Sequence, residues 1–304
     1  MSQRFAIAAA FTNPHAAKKK RAAVTRQMSK RNRERARQSK QIGRAPVSQA
    51  GSISGEDAGF WNIFQTGLAK ADVWPFVAIC ITACFSLGFV QFAGSDQTFI
   101  RFFPPQPNAF DTYWPLRYKA WWVGCILIAF LALPALLMSA LPGHRLRDCN
   151  LSWEGFKKHY RIYIGLYALV FPVIYIFSWS PSFYTFYPMY SAAGRSWFDL
   201  LAWEGMYAGQ FIALEFFFRG FLVGGLSRYI GILAVPVSVM PYMMIHFAKP
   251  LPEVAASVVA GFILGFLAWR TKSIWGGVFI HCAVAASMDL MALSHKGQLP
   301  WLGR

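Results

Sequence analysis

From residue 73 onward the sequence alternates between apolar stretches and shorter polar or aromatic ones. The apolar stretches fall at 73–92, 120–141, 162–179, 205–226, 230–247, 253–269 and 274–293. Each approaches the ~20 residues that a helix needs to cross a hydrocarbon core. The pattern therefore predicts an all-α protein, a polytopic bundle of about seven transmembrane helices. Two prolines, Pro236 and Pro241, argue against a regular helix through the centre of the fifth stretch. A re-entrant segment at 197–203 would upset the count of seven. The connection at 180–195 carries Phe183, Tyr184, Phe186, Tyr187 and Tyr190, as expected for a chain lying at a membrane interface. Upstream, Phe60, Trp61, Ile63 and Phe64 give 56–71 the look of a short interfacial helix.

Composition agrees. Of 304 residues 56% are apolar and only 14% charged, against about 25% charged in average soluble domains. The net charge of +17 is concentrated at one end. Residues 1–50 hold 13 of the 30 Lys and Arg with a single acid, Glu34. Residues 1–55 therefore read as a disordered basic tail, too basic for a signal peptide. Its expected partners are anionic headgroups; no nucleic acid is expected. Three spans then occupy 56–195, four occupy 196–295, and 296–304 is a short tail. Basic residues at 145, 147, 157, 158, 161, 228, 270 and 272 fall on the tail's side of a seven-span chain. That alternation predicts an N-terminus in the cytoplasm. The five cysteines are odd in number and mostly sit in apolar runs, so no disulfide framework is expected.

The chemistry lies in the last four stretches. Glu215 and Arg219 stand four apart in an apolar run, where a helix would let them pair. His246, His281 and Asp289 lie in later apolar runs, and Glu253 opens a helix after Pro252. An ionisable side chain at membrane depth is costly and is by default a candidate functional residue. Glu215, His246 and His281 could together make a zinc set with an open fourth position. Plainer readings exist for each: a packing ion pair for Glu215 and Arg219, an interfacial or hydrogen-bonded histidine for His246 and His281, and a helix-dipole role for Glu253.

Three short motifs resemble the CPBP family of intramembrane proteases, which includes the CAAX prenyl endopeptidases. The family's E-E-x-x-x-R-G reads Leu214-Glu215-Phe216-Phe217-Phe218-Arg219-Gly220 here. An aromatic three residues before a histidine is Tyr242-Met243-Met244-Ile245-His246. The family's H-x-x-x-N is His281-Cys282-Ala283-Val284-Ala285. The resemblance spans about 196–293. It implies an intramembrane endopeptidase of the CAAX metalloprotease-like type, in a bacterial inner membrane, cleaving a polypeptide, lipidated substrates included. Glu215, Arg219, His246 and His281 would be catalytic, with Tyr242, Glu253 and Asp289 in support. Two positions depart from the pattern: Leu214 replaces the glutamate thought to activate water, and Ala285 the asparagine thought to hold the oxyanion. Asp289, two turns beyond His281 on the same face, could replace the missing polar group.

Two other classes fit the same residues. One is a non-catalytic family member serving as a membrane scaffold or immunity-type factor. The other is a transporter with Glu215, Asp289 and the histidines as a proton relay, which the absence of an evident inverted repeat disfavours.

Overall fold

The computed structural model describes residues 73–105 and 111–301. The basic tail and the segment 56–71, expected to be an interfacial helix, lie outside them. Among the described residues every regular element is helical, and one isolated bridge joins Leu151 to Ser273.

The order is α1 (Val73–Ala93), α2 (Asp96–Phe102), α3 (Trp114–Ala140), α4 (Trp153–Phe177) and α5 (Pro181–Phe186). Helix α6 runs Trp197–Glu215, continues as a π-helix at Phe216–Gly224 and ends as Gly225–Ile230. After a 3₁₀ turn come α7 (Ala234–Met244), α8 (Leu251–Thr271) and α9 (Trp275–His295).

Among the described residues six helical runs are long and apolar enough to span a membrane. One of them, Trp197–Met244, has 48 residues. At 1.5 Å per residue it would reach ~72 Å, more than twice a ~30 Å hydrocarbon core. It folds back at Gly231, whose φ of 59° and ψ of −134° only glycine adopts readily. The first arm, Trp197–Ile230, is long enough to cross, and the short second arm, α7, turns back into the bundle. The described residues are thus consistent with about seven membrane helices, and the chain is an integral membrane protein.

Side-to-side alternation is visible in the contacts. Trp74 at the start of α1, Leu141 after α3 and Tyr229 at the end of α6 line one cavity. The Ser152 N–H donates to the Lys272 carbonyl (2.9 Å) and the Ile274 N–H to the Asn150 carbonyl (2.8 Å), so the α3–α4 and α8–α9 turns touch.

Several elements differ from the sequence expectation. Helix α3 begins at Trp114, α4 at Trp153 and α6 at Trp197, each well before its apolar stretch. There is no re-entrant segment at 197–203; those residues are the first turns of α6. Helix α7 is regular but short, and its prolines are tolerated for separate reasons. Pro236 sits in the first turn, where its N–H would be unpaired anyway. Pro241 is interior, and the helix ends three residues later.

The short α7 lies tightly against α8. A Cβ on Gly265 would come within 2.9 Å of Val235 Cγ1, and one on Gly261 within 3.1 Å of Tyr242 Cδ1. Small residues four apart are the means by which membrane helices approach backbone to backbone. Gly265→Leu is expected to pry α7 from α8 and lower Tm by several degrees; an unchanged melt in detergent would count against this packing.

The core is built around the π segment. Phe216, Phe217, Phe218 and Phe221 are buried with Ile79, Phe130 and Met138. The Phe130 and Phe217 rings stack with centroids 4.3 Å apart.

Candidate active site

Helix α6 carries a ladder of side chains on one face at intervals of four: Trp203, Tyr207, Phe211, Glu215 and Arg219. The three rings are stacked in series, with centroids 4.6 Å apart at each step. Opposite, α9 offers Gly277, His281, Ala285 and Asp289, also at intervals of four. The two ladders meet at Glu215, Gly277 and His281.

Glu215 and Arg219 have side chains only 1% and 2% exposed. Arg219 Nη1 is 3.3 Å from Glu215 Oε1, and its guanidinium carbon lies 4.0 Å from the centre of the Tyr242 ring. His281 Nδ1 is 3.0 Å from Glu215 Oε1 and 3.1 Å from the Gly277 carbonyl. A carbonyl only accepts, so Nδ1 carries the proton and points it along its own helix. The approach to Glu215 is therefore close but is not a second full hydrogen bond. The Tyr242 hydroxyl lies 2.8 Å from His281 Nε2, and the His281 ring stacks on Phe211.

Neither Glu215 oxygen, nor Arg219 Nη1 or Nη2, has a well-formed hydrogen bond within the described protein. Buried charges left this way are rare and costly. The same four atoms are thus available to a polar group that enters the site.

Two features make this geometry possible. The first is Gly277: a Cβ there would stand 2.0 Å from Glu215 Oε2. Its neighbour Gly276 does the same for α4, since a Cβ there would stand 2.0 Å from the Tyr163 ring. The second is the π-helix, which releases carbonyls from the usual ladder. The Ser238 hydroxyl donates to the Phe218 carbonyl (2.8 Å), and Asn150 Nδ2 donates to the Arg219 carbonyl (2.8 Å). Asn150 is buried at φ 53°, a left-handed conformation that asparagine tolerates. Gly220 leaves room for that loop: a Cβ would lie 2.9 Å from the Cys149 carbonyl. Burial, with Asp148 adding to it, pushes the Cys149 thiol up to about 12, so it is no nucleophile.

The other expected residues go to different places. His246 follows the short α7. Its Nδ1–H donates to the Tyr242 carbonyl (2.8 Å), and its ring packs edge-on against Tyr242. Tyr242 thus stands between the two histidines. Asp289 does not fill the place of the missing polar group. Its oxygens accept the Trp203 indole N–H (2.7 Å) and the Met189 N–H (3.2 Å), tying the 187–196 strap to the bundle. Glu253 also holds the strap, accepting from the Tyr187 hydroxyl (2.7 Å) and Lys249 Nζ (3.2 Å). Burial, then Tyr207 and Glu253, hold the Tyr187 phenol far above its ordinary range, so it stays a donor. Leu214 is buried in the phenylalanine core and Ala285 beside Tyr207 and Phe211, so both departures sit in apolar packing.

Glu215, His246 and His281 are not drawn into one cluster: among the described residues no three His, Cys, Asp or Glu are placed together to hold a metal. Two cavities among the described residues lie elsewhere, and neither is lined by Glu215, His246 or His281.

Residues 196–287 match the family model described as type II CAAX prenyl endopeptidase Rce1-like. The match covers this segment alone, and it supports membership of the CPBP family for these residues. No curated protein and no solved structure gives a significant match. The CPBP segment begins one residue before α6 and ends inside α9, so it includes Glu215, Arg219, Tyr242, His246, Gly277 and His281. Asn150 and Tyr163, which brace it, lie outside. Sequence reading missed Gly277, although its place four residues before His281 put it on the same helix face.

Proposed function

We propose that this chain is an intramembrane peptidase of the CAAX-protease type, with Glu215 as its general base. One observation carries the reading: within the CPBP segment a buried carboxylate keeps both oxygens free of protein hydrogen bonds, beside an arginine and a histidine. In this scheme a water bound to Glu215 attacks the scissile carbonyl as Glu215 takes its proton. The Arg219 guanidinium stabilises the oxyanion, the task the family pattern gives to the asparagine that is Ala285 here. The tetrahedral adduct collapses, the C–N bond breaks and Glu215 passes the proton to the leaving amine. His281 orients the carboxylate, and Tyr242 fixes the His281 tautomer. No metal enters the scheme. The substrate is a polypeptide near the cytoplasmic leaflet, a lipidated tail being the class the family implies, while residues 1–50 tether the protein to anionic headgroups.

The test is cleavage of quenched fluorogenic peptides, with and without a lipidated C-terminal cysteine, by the full-length protein in vesicles. Cleavage is expected, and it should resist chelators. A second reading, a non-catalytic family member acting as a membrane scaffold, draws on the apolar packing of Leu214 and Ala285. Inactivity of the parent, with activity gained by Leu214→Glu plus Ala285→Asn, would establish that reading instead.

The orientation is a further expectation. Single cysteines placed at Arg145 or Lys158, in a background without the native five, should react only with reagent admitted to the cytoplasmic side. Labelling from outside intact cells would reverse the topology.

A further inference from the structure

Away from the CPBP site, three span ends enclose a cavity of about 450 Å³: the start of α1, the turn after α3 and the end of α6. One side is apolar, made by Trp74, Pro75, Ala78 and Leu141; the other carries Arg228, His144 and Tyr229. No acid is among the described lining residues.

Arg228 is exposed yet held. Its Nη1 donates to the Gly143 carbonyl (2.6 Å). Gly143, at φ 73°, brings backbone alongside the guanidinium; a Cβ there would lie 3.4 Å from Nη1. The wall beside it is hydrogen-bonded. His144 Nδ1 donates to the Pro142 carbonyl (3.1 Å), and the Tyr229 hydroxyl lies 3.0 Å from His144 Nε2. The first direction follows because a carbonyl can only accept. The two rings lie 20° from parallel. Among the described residues, Asp148 in the adjoining turn accepts from the Arg145 N–H (2.9 Å). Trp74 is 56% exposed at the start of a span, the position of an interfacial aromatic.

We propose that this cavity binds the phosphate of an anionic membrane lipid, with Arg228 on the phosphate oxygens and the Trp74 side beneath the glycerol and first acyl carbons. A guanidinium fork matches phosphate oxygens in geometry and charge. Arg145 and Arg147 in the adjoining turn make the local potential more positive. The apolar wall decides for a lipid over free phosphate, which would use only the arginine end.

The test uses the full-length protein in neutral detergent, at fixed ionic strength. Thermal unfolding is followed with a short-chain phosphatidylglycerol, the phosphatidylcholine of equal chain length, or inorganic phosphate. Only phosphatidylglycerol is expected to raise the parent's Tm. Arg228 is exposed, so R228Q should melt like the parent without lipid and bind phosphatidylglycerol roughly tenfold more weakly. A78W fills the apolar side with Arg228 intact and should also lose the effect. The basic tail is the same in all three proteins, so its own attraction for anionic lipid cancels. An undiminished shift in R228Q would overturn the site. An equal shift with phosphatidylcholine would remove the charge recognition. A shift reproduced by inorganic phosphate alone would replace the lipid with a free anion.

Discussion

Glu215→Gln should lower peptide turnover by at least ~10²-fold, within the 10²–10⁴-fold range of general-base contributions. Gln keeps the size of Glu but cannot take a proton, and Leu214 next to it offers no substitute. The difficulty is that Glu215 also faces Arg219 in a buried pair. Removing one member of such a pair costs about 3–5 kcal/mol, so some loss of Tm is expected too. The two effects separate by comparison with Arg219→Gln. Equal damage to Tm from both variants, with turnover per folded molecule unchanged in either, would reduce Glu215 to a packing residue. A base predicts instead that folded Glu215→Gln is inactive. His281→Ala on top of Glu215→Gln should then add little, as for groups that act as a unit.

Gly277→Ala is expected to be almost as damaging, through one carbon atom. The new Cβ would stand 2.0 Å from Glu215 Oε2 and 2.4 Å from its carboxyl carbon, so the carboxylate must move by more than 1 Å. A displacement of that size can cost ~10²-fold in rate. The control is sharp because Ala favours a helix over Gly by up to about 1 kcal/mol. Local propensity improves while the site is lost. Gly276→Ala tests the same α9 turn on its other face. Its Cβ meets Tyr163 and not Glu215, so it should lower Tm yet leave turnover per folded molecule near normal. If Gly277→Ala is as active as the parent, Glu215 does not need the place it occupies.

Much of this was legible in the sequence, and particular residues show why the rest was not. The apolar stretches and the three motifs lead to seven passes and to Glu215 beside His281, because burial in lipid and helical spacing act along the chain. The start of α4 was placed at 162 rather than Trp153 because Lys157, Lys158 and Arg161 end the apolar run, although a helix continues past the interface without needing apolar residues. The fifth stretch looked like a full pass, but α7 has only 11 residues, a rise of ~16 Å. The partners of Asp289, the Met189 N–H and the Trp203 indole, are remote in sequence, so no local pattern announces them. Gly277 and Asn150 act on atoms of other helices, and periodicity carries no trace of such contacts.

The Asn150 side chain has a consequence for engineering. The stretch matched by the family model looks portable, since it carries every residue of the candidate site. Yet the backbone that presents Arg219 is bound by Asn150, from 69 residues upstream, and the α9 turn that receives Glu215 is filled by Tyr163. Transplanted onto foreign leading helices, the segment would keep its motif and lose its brace. A graft therefore has to begin upstream of Asn150 and carry α4 with it.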